Sequence, residues 1–270
     1  MLQRAATRER KEIARKYQDL GFRVYECHHD PSLPFTRAND PTNDWPNNHY
    51  FEINGIVIPC DRTFRELGHG GNYVCGEDFV LVSKEFEGLF TKRHRDHPGF
   101  RKAFEGRAVY FIDPYVMKLK KGSRLKTIDL GGHIDLTIGY VPRQRILTIA
   151  DLHYAQIHAH IEGIARRDSL RVEKTTNDPP FSYHPFVNNY FVINPGLRDQ
   201  VIVANRYEGF DRKLREWRAN VRAPRIPITR LAIYLGSIKC TSNQAASTEV
   251  FDRLGISYRP WTSAAASAEP

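Results

Sequence analysis

Two side chains of this 270-residue sequence stand where thiol chemistry could be delivered to a cleft. Cys240 follows a short apolar run and Gly236-Ser237 in YLGSIKCTSNQ, where a strand can end and present a side chain. Sulfur attacks as thiolate, so an ordinary thiol pKa of about 8.5 calls for a cationic neighbour or a base that removes the proton. An imidazole does both. His133, in DLGGHIDLTIG, has two glycines before it and a β-like run after it. In a strand His133 and Asp135 would point to one face, which sets a general acid/base beside an acceptor for a cationic substrate.

A third polar set lies earlier. DWPNNHYF carries Asp44 and the amides of Asn47 and Asn48, and GHGGNYVCGEDFVLVSKEF follows it. Gly70-Gly71 permits close backbone approach, and Asn72 comes directly after. Each feature also has a plain structural reading: an inert buried cysteine, a His–Asp pair that only supports the fold, an Asn-Asn turn.

The elements that would position these residues repeat one order: a pair of short β-like runs, a helical segment, another β-like run. It is read in YFEING with IVIPC. It recurs in NYVCG and EDFVLVS, with a helix from about Glu85 to Phe104 and then AVYFIDPYVMKL. A third copy is HIDLTIGYVPRQRILTIAD with HYAQIHAHIEGIARR. A fourth is NNYFVIN and QVIVANRY about Pro195-Gly196, with the helical EGFDRKLREWRAN. The four units stand roughly fifty residues apart. A fifth is assembled from IPITRLAIYLGSIKCTSNQ, the helical STEVFDRLG and ISYRP, which would close on FRVYECH near the start. The expectation is one domain over residues 1–262, with a small, polar tail over 263–270 that is disordered.

Bulk composition is that of a soluble globular chain: 41% hydrophobic and 26% charged residues. No run approaches the roughly eighteen apolar residues of a membrane span, and the N-terminus lacks the apolar centre of a secretory signal, so the cytoplasm is the expected address and no membrane partner is expected. Cys27, Cys60, Cys75 and Cys240 show neither CxxC pairing nor zinc-ribbon spacing, so neither a metal site nor a disulfide framework is read, and no cofactor is expected. Forty Lys and Arg against thirty-one Asp and Glu give +9. The basic residues are scattered and not interleaved with aromatics, which reads as a solvated surface rather than a nucleic-acid track.

In their order along the chain, the polar loop, the GGN run, HxD and the late cysteine resemble the guanidino-group-modifying superfamily, or penteins. These include arginine and agmatine deiminases, dimethylarginine hydrolases, arginine and succinylarginine dihydrolases, and amidinotransferases. GGHIDLT and GSIKCTSNQ match the family's histidine and cysteine runs, and the resemblance spans about residues 40 to 245. It implies an α/β propeller of five ββαβ modules, pseudo-fivefold about a central active site.

The resemblance also implies roles. Cys240 would attack the guanidinium carbon of arginine or an arginine derivative, His133 would be the acid/base group, and Asp135 would hold guanidinium nitrogens. The carboxylate that orients the histidine would come from the strand end after the GG segment, where Glu85 is the preferred residue, with Glu87 one step along. Two departures stand out. His69 occupies the place where deiminases have Glu before Gly-Gly, and the WPNN register puts Asn48 where they have Asp. An amide holds both a cationic guanidinium and a neutral ureido group, which points to a dihydrolase releasing two ammonia molecules. Asn47 or Asp44 could take that register instead, and Asp44 as the guanidinium carboxylate would favour one-step deimination. Amidino transfer to an amine and peptidyl-arginine deimination are variants of the same thiol chemistry. A non-catalytic ring that binds a ribosome or RNA is the alternative of another class.

Overall fold

The protein is described from a computed structural model, over residues 2–28, 50–121, 124–128, 132–175, 188–193, 201–203, 208–217 and 248–262. It is a mixed α/β fold of several small sheets, none closed into a barrel among the described residues. Helix α1 (Leu2–Asp19) leads into β1 (Tyr25–His28), and β2 (Tyr50–Ile53) pairs antiparallel with β3 (Ile56–Pro59). Asn54 and Gly55 join that hairpin with φ of 51° and 71°, the left-handed pair that a tight Asn-Gly turn requires.

Two ββαβ units are complete among the described residues. In the first, β4 (Tyr73–Cys75) runs antiparallel to β5 (Phe79–Ser83). Helices α2 (Glu87–Asp96) and α3 (Pro98–Ala103) then carry the chain over to β6 (Ala108–Ile112), parallel to β5. The continuous helix expected over this stretch is broken at His97, which is extended (φ −122°, ψ 101°) ahead of Pro98. A proline lacks the amide hydrogen a helix needs and drives the residue before it out of the helical region. Hairpin β7 (Met117–Lys121) and β8 (Arg124–Ile128) forms a separate sheet. AVYFIDPYVMKL is therefore two strands in two sheets rather than one run.

In the second unit β9 (Ile138–Val141) and β10 (Ile146–Ala150) are antiparallel, α4 (Asp151–Arg167) crosses over, and β11 (Arg171–Thr175) lies parallel to β10. A further hairpin, β12 (Phe191–Ile193) with β13 (Val201–Val203), precedes α5 (Glu208–Glu216), in which Leu214 is buried, with Trp217 buried just beyond its end. Helix α6 (Glu249–Leu254) then leads to β14 (Ser257–Pro260). Strand β14 pairs antiparallel with β1, Tyr25 opposite Pro260 and His28 opposite Ser257, so the two ends of the chain share a sheet as the sequence anticipates. The even fifty-residue spacing does not hold: the hairpins of the four anticipated units begin at residues 50, 73, 138 and 191. The Pro195-Gly196 turn and the tail over 263–270 lie outside the described residues.

Strand β5 shows why the units stack. All five of its residues are buried, as expected of a central strand covered on both faces. Alternate side chains serve two cores. Phe79 and Leu81 join Ile138, Leu147, Ile149, Ile157 and Ile161 of the second unit. Val80 and Val82 join Ile53, Ile58, Phe90, Phe100 and Phe104 on the other side. On β9, Gly139 leaves room for the Tyr190 ring, 2.6 Å from where a Cβ would stand, and the Tyr190 hydroxyl is 3.0 Å from Thr148 Oγ1. The segment that leads into β12 therefore docks on the second unit.

The end of the first unit that carries its β-turn is stapled by polar contacts. The Arg107 guanidinium donates to the carbonyls of Gly76 and Glu77 and, at 2.7 Å, to Asn54 Oδ1. Tyr140 Oη donates to Glu77 Oε2 at 2.8 Å. Arg107→Ala removes the common donor of the β2–β3 and β4–β5 turns. We expect it to lower unfolding free energy by about 1–2 kcal/mol, read from urea denaturation midpoints.

Candidate functional site

At the opposite end of the two units, each begins with a 3-10 turn that enters its first strand. Gly70–Asn72 enters β4, and Ile134–Leu136 leads through Thr137 into β9. The two turns pack against each other. Because β5 is antiparallel to β4, its carboxyl end returns to this side, and a third 3-10 turn, Lys84–Phe86, follows it.

Glycines make the assembly possible. A Cβ at Gly71 would stand 2.7 Å from both Cγ and Nδ1 of His133, so the imidazole lies flush on the Gly71 backbone. Gly132, immediately before His133, has φ +74°, and a Cβ there would lie 2.6 Å from both Glu85 Oε2 and the Phe86 ring. Only glycine adopts that φ without steric cost. The Glu85 carboxylate thus rests against the backbone that carries His133. His69 completes the group, its ring edge-on to that of His133 with centroids 5.7 Å apart. His69 and His133 are both partly exposed, while Asn72 is fully buried.

The Asp135 geometry differs from the expectation. Residues 134–136 form a 3-10 turn instead of a strand, so His133 and Asp135 do not alternate onto a common strand face. All three residues of the turn are buried, Ile134 at 0%, Asp135 at 1% and Leu136 at 2% exposure. The Asp135 carbonyl accepts from Asn189 Nδ2 at 3.2 Å. Glu87 likewise is not one strand step beyond Glu85, because Lys84–Phe86 is helical and Glu87 begins α2.

Thr137, at the end of the turn, is held from several sides. Its amide donates to the Ile134 carbonyl at 3.1 Å, and its own carbonyl accepts from the Ala150 amide and from Asn188 Nδ2, both at 2.9 Å. Its Oγ1 is 2.7 Å from Nδ1 of the buried His153, the third residue of α4. His153 Nε2 lies 2.8 Å from the Asp113 carbonyl, just beyond β6. The Asp113 carboxylate in turn pairs with Lys84 at 3.3 Å, next to Glu85.

Neither a protein-family model nor a curated protein matches the chain.

Of the residues singled out in the sequence, Glu85, His133, Asp135 and Asn72 are brought to this one end of the fold by two different units. Asp44, Asn47, Asn48 and Cys240 lie outside the described residues. No group of three or more His, Cys, Asp or Glu able to hold a metal ion occurs among the described residues. Nor is any described helix long and apolar enough to cross a membrane. Sequence reading passed over Asn188 and Asn189, which pin the backbone of the His133 turn through Thr137 and Asp135. A signal for them exists: Asn-Asn before Tyr190-Phe191 echoes Asn47-Asn48 a short step before Tyr50-Phe51.

Proposed function

We propose that the protein is a cysteine-dependent hydrolase of guanidino compounds, built as an α/β propeller of ββαβ units and working in the cytoplasm on arginine or an arginine derivative. The observation that carries this reading is the meeting of Glu85, Gly132-His133 and Gly70–Asn72, from two units, around one partly exposed imidazole. The unit order and the pairing of β1 with β14 support a ring, since a closed set of modules needs its chain ends joined.

The chemistry suits those groups. A guanidinium carbon is a poor electrophile, so carboxylates and amides must hold the planar cation while sulfur attacks. Cys240 Sγ forms a bond to that carbon, the tetrahedral adduct expels a nitrogen, and His133 gives that nitrogen its proton. Water then attacks the thiouronium-type carbon with His133 as base. The new carbon–oxygen bond replaces carbon–sulfur, and thiolate is released. Glu85, beside the backbone of His133, would orient the imidazole that gives up this proton. An imidazole at position 69 contributes less negative charge than a carboxylate would, in keeping with a site that also holds a neutral ureido group.

Ammonia release from a panel of arginine, agmatine, methylated arginines and peptidyl arginine tests the reading. The expected result is release with one substrate class and none from Cys240→Ala. One ammonia per substrate identifies a deiminase and two a dihydrolase, whereas transfer of the amidino group to added glycine or ornithine would mark an amidinotransferase. No turnover of any guanidine, together with salt-dependent RNA binding, would replace the enzyme with a binding ring.

A further inference from the structure

His153 belongs to no step of the proposed reaction, yet it is fully buried and joins three pieces of backbone that surround the site. Its two ring nitrogens have distinct tasks. A carbonyl only accepts, so Nε2, 2.8 Å from the Asp113 carbonyl, carries the hydrogen. In the neutral ring Nδ1 is then bare and accepts from the Thr137 hydroxyl at 2.7 Å. The hydroxyl has one hydrogen, so its other neighbour, the Ile134 carbonyl at 3.3 Å, does not receive it. Thr137 closes the turn that begins at His133, and its amide and carbonyl are already bonded. The Thr137 side chain is the remaining handle, and His153 holds it.

We propose that His153 is a positioning residue: through Thr137 it sets the attitude of the His133 turn, and through Asp113 it ties that turn to the strand end of the neighbouring unit beside Glu85. The proposal rests on the guanidine-hydrolase reading for its kinetic consequence and on geometry alone for its structural one. Tyr115 packs against the His153 ring at 5.7 Å; His69 stands against the His133 ring and Glu85 against Gly132 beside it.

Four variants separate the two bonds. In His153→Asn the amide oxygen takes the place of Nδ1 and keeps the Thr137 bond. In His153→Gln the amide nitrogen takes the place of Nε2 and keeps only the Asp113 bond. Thr137→Ser retains the hydroxyl and Thr137→Val removes it. The expected result is a fall of about tenfold or more in kcat, with KM nearly unchanged, for His153→Gln and Thr137→Val. His153→Asn and Thr137→Ser should stay within about threefold of the parent. The acid and base limbs of the pH–rate profile should move with the first pair only. If activity instead follows melting temperature across all four variants with an unaltered pH profile, His153 is only part of the core and the proposal falls.

An activity-independent measurement keeps the two readings apart. Ring-nitrogen NMR titration of His133 in ¹⁵N-histidine-labelled protein should shift in Thr137→Val and not in Thr137→Ser. A parent that hydrolyses no guanidine overturns the functional reading while a shifted His133 titration upholds the positioning role. An unshifted one overturns it.

Discussion

Gly71→Ala should reduce ammonia release by about 10²-fold or more, because the added methyl would stand 2.7 Å from two atoms of the His133 ring. Neither side has an easy escape. Gly71 is buried in its turn, and the ring is bracketed by that turn and by His69. The imidazole must swing away, and an acid/base group displaced by an ångström no longer reaches the departing nitrogen. Gly132→Ala should act similarly, through Glu85 and Phe86 and through the strain of φ +74°. Overpacking of this kind costs about 1–3 kcal/mol of stability, so both variants should still fold. Gly163→Ala is the control. Nothing lies within 4 Å of the added methyl on α4, and alanine in a helix interior is favoured over glycine. It should be as active as the parent and slightly more stable, as read by kcat/KM and thermal melts run in parallel. Full activity in Gly71→Ala would mean that His133 does not work from this position.

The second large effect is on stability as pH falls. Burial lowers the His153 pKa from its ordinary 6.5 to about 4, opposed in part by the Asp113 carbonyl and carboxylate. The folded state therefore binds fewer protons at this ring than the unfolded chain between those two values. Stability from the neutral ring is fully present above about pH 6.5 and is lost as pH falls towards 4, by an amount on the order of 3 kcal/mol. Tyr115 and the Asp113 carbonyl stand against this ring from neighbouring segments. The check is the unfolding free energy of the parent minus that of His153→Asn at several pH values. The difference should shrink steadily from pH 6.5 to 4, since asparagine does not titrate. A constant difference would show that His153 keeps an ordinary pKa.

Much of the unit structure is legible in the chain because it is written locally. EDFVLVS and RILTIAD are short apolar runs with turn residues before them, and both are strands buried along their length. STEVFDRLG carries Val250 and Leu254 one helical turn apart with Phe251 beside them, and all three join one core. The pairing of ISYRP with FRVYECH was also readable, since two strands at the ends of a modular chain need partners. Less readable was the boundary between strand and turn. HIDLTIGYV has the alternation of a strand from its first residue, yet the strand begins only at Ile138: Ile134, Asp135 and Leu136 are all buried in a 3-10 turn, and Thr137 after them is bonded to the distant His153.

By itself, then, the sequence determined which residue types are present for thiol and imidazole chemistry, the order in which they occur and the repeated strand–strand–helix–strand pattern between them. Periodicity, turn chemistry and side-chain reactivity are properties of a residue and its near neighbours. Tertiary structure decided what stands next to what: the carboxylate of Glu85 against Gly132, the ring of His133 on Gly71, and His153 between Thr137 and Asp113. Those contacts join residues 16 to 62 positions apart, and they form only when packing of whole units brings their strand ends together. No local pattern encodes that distance.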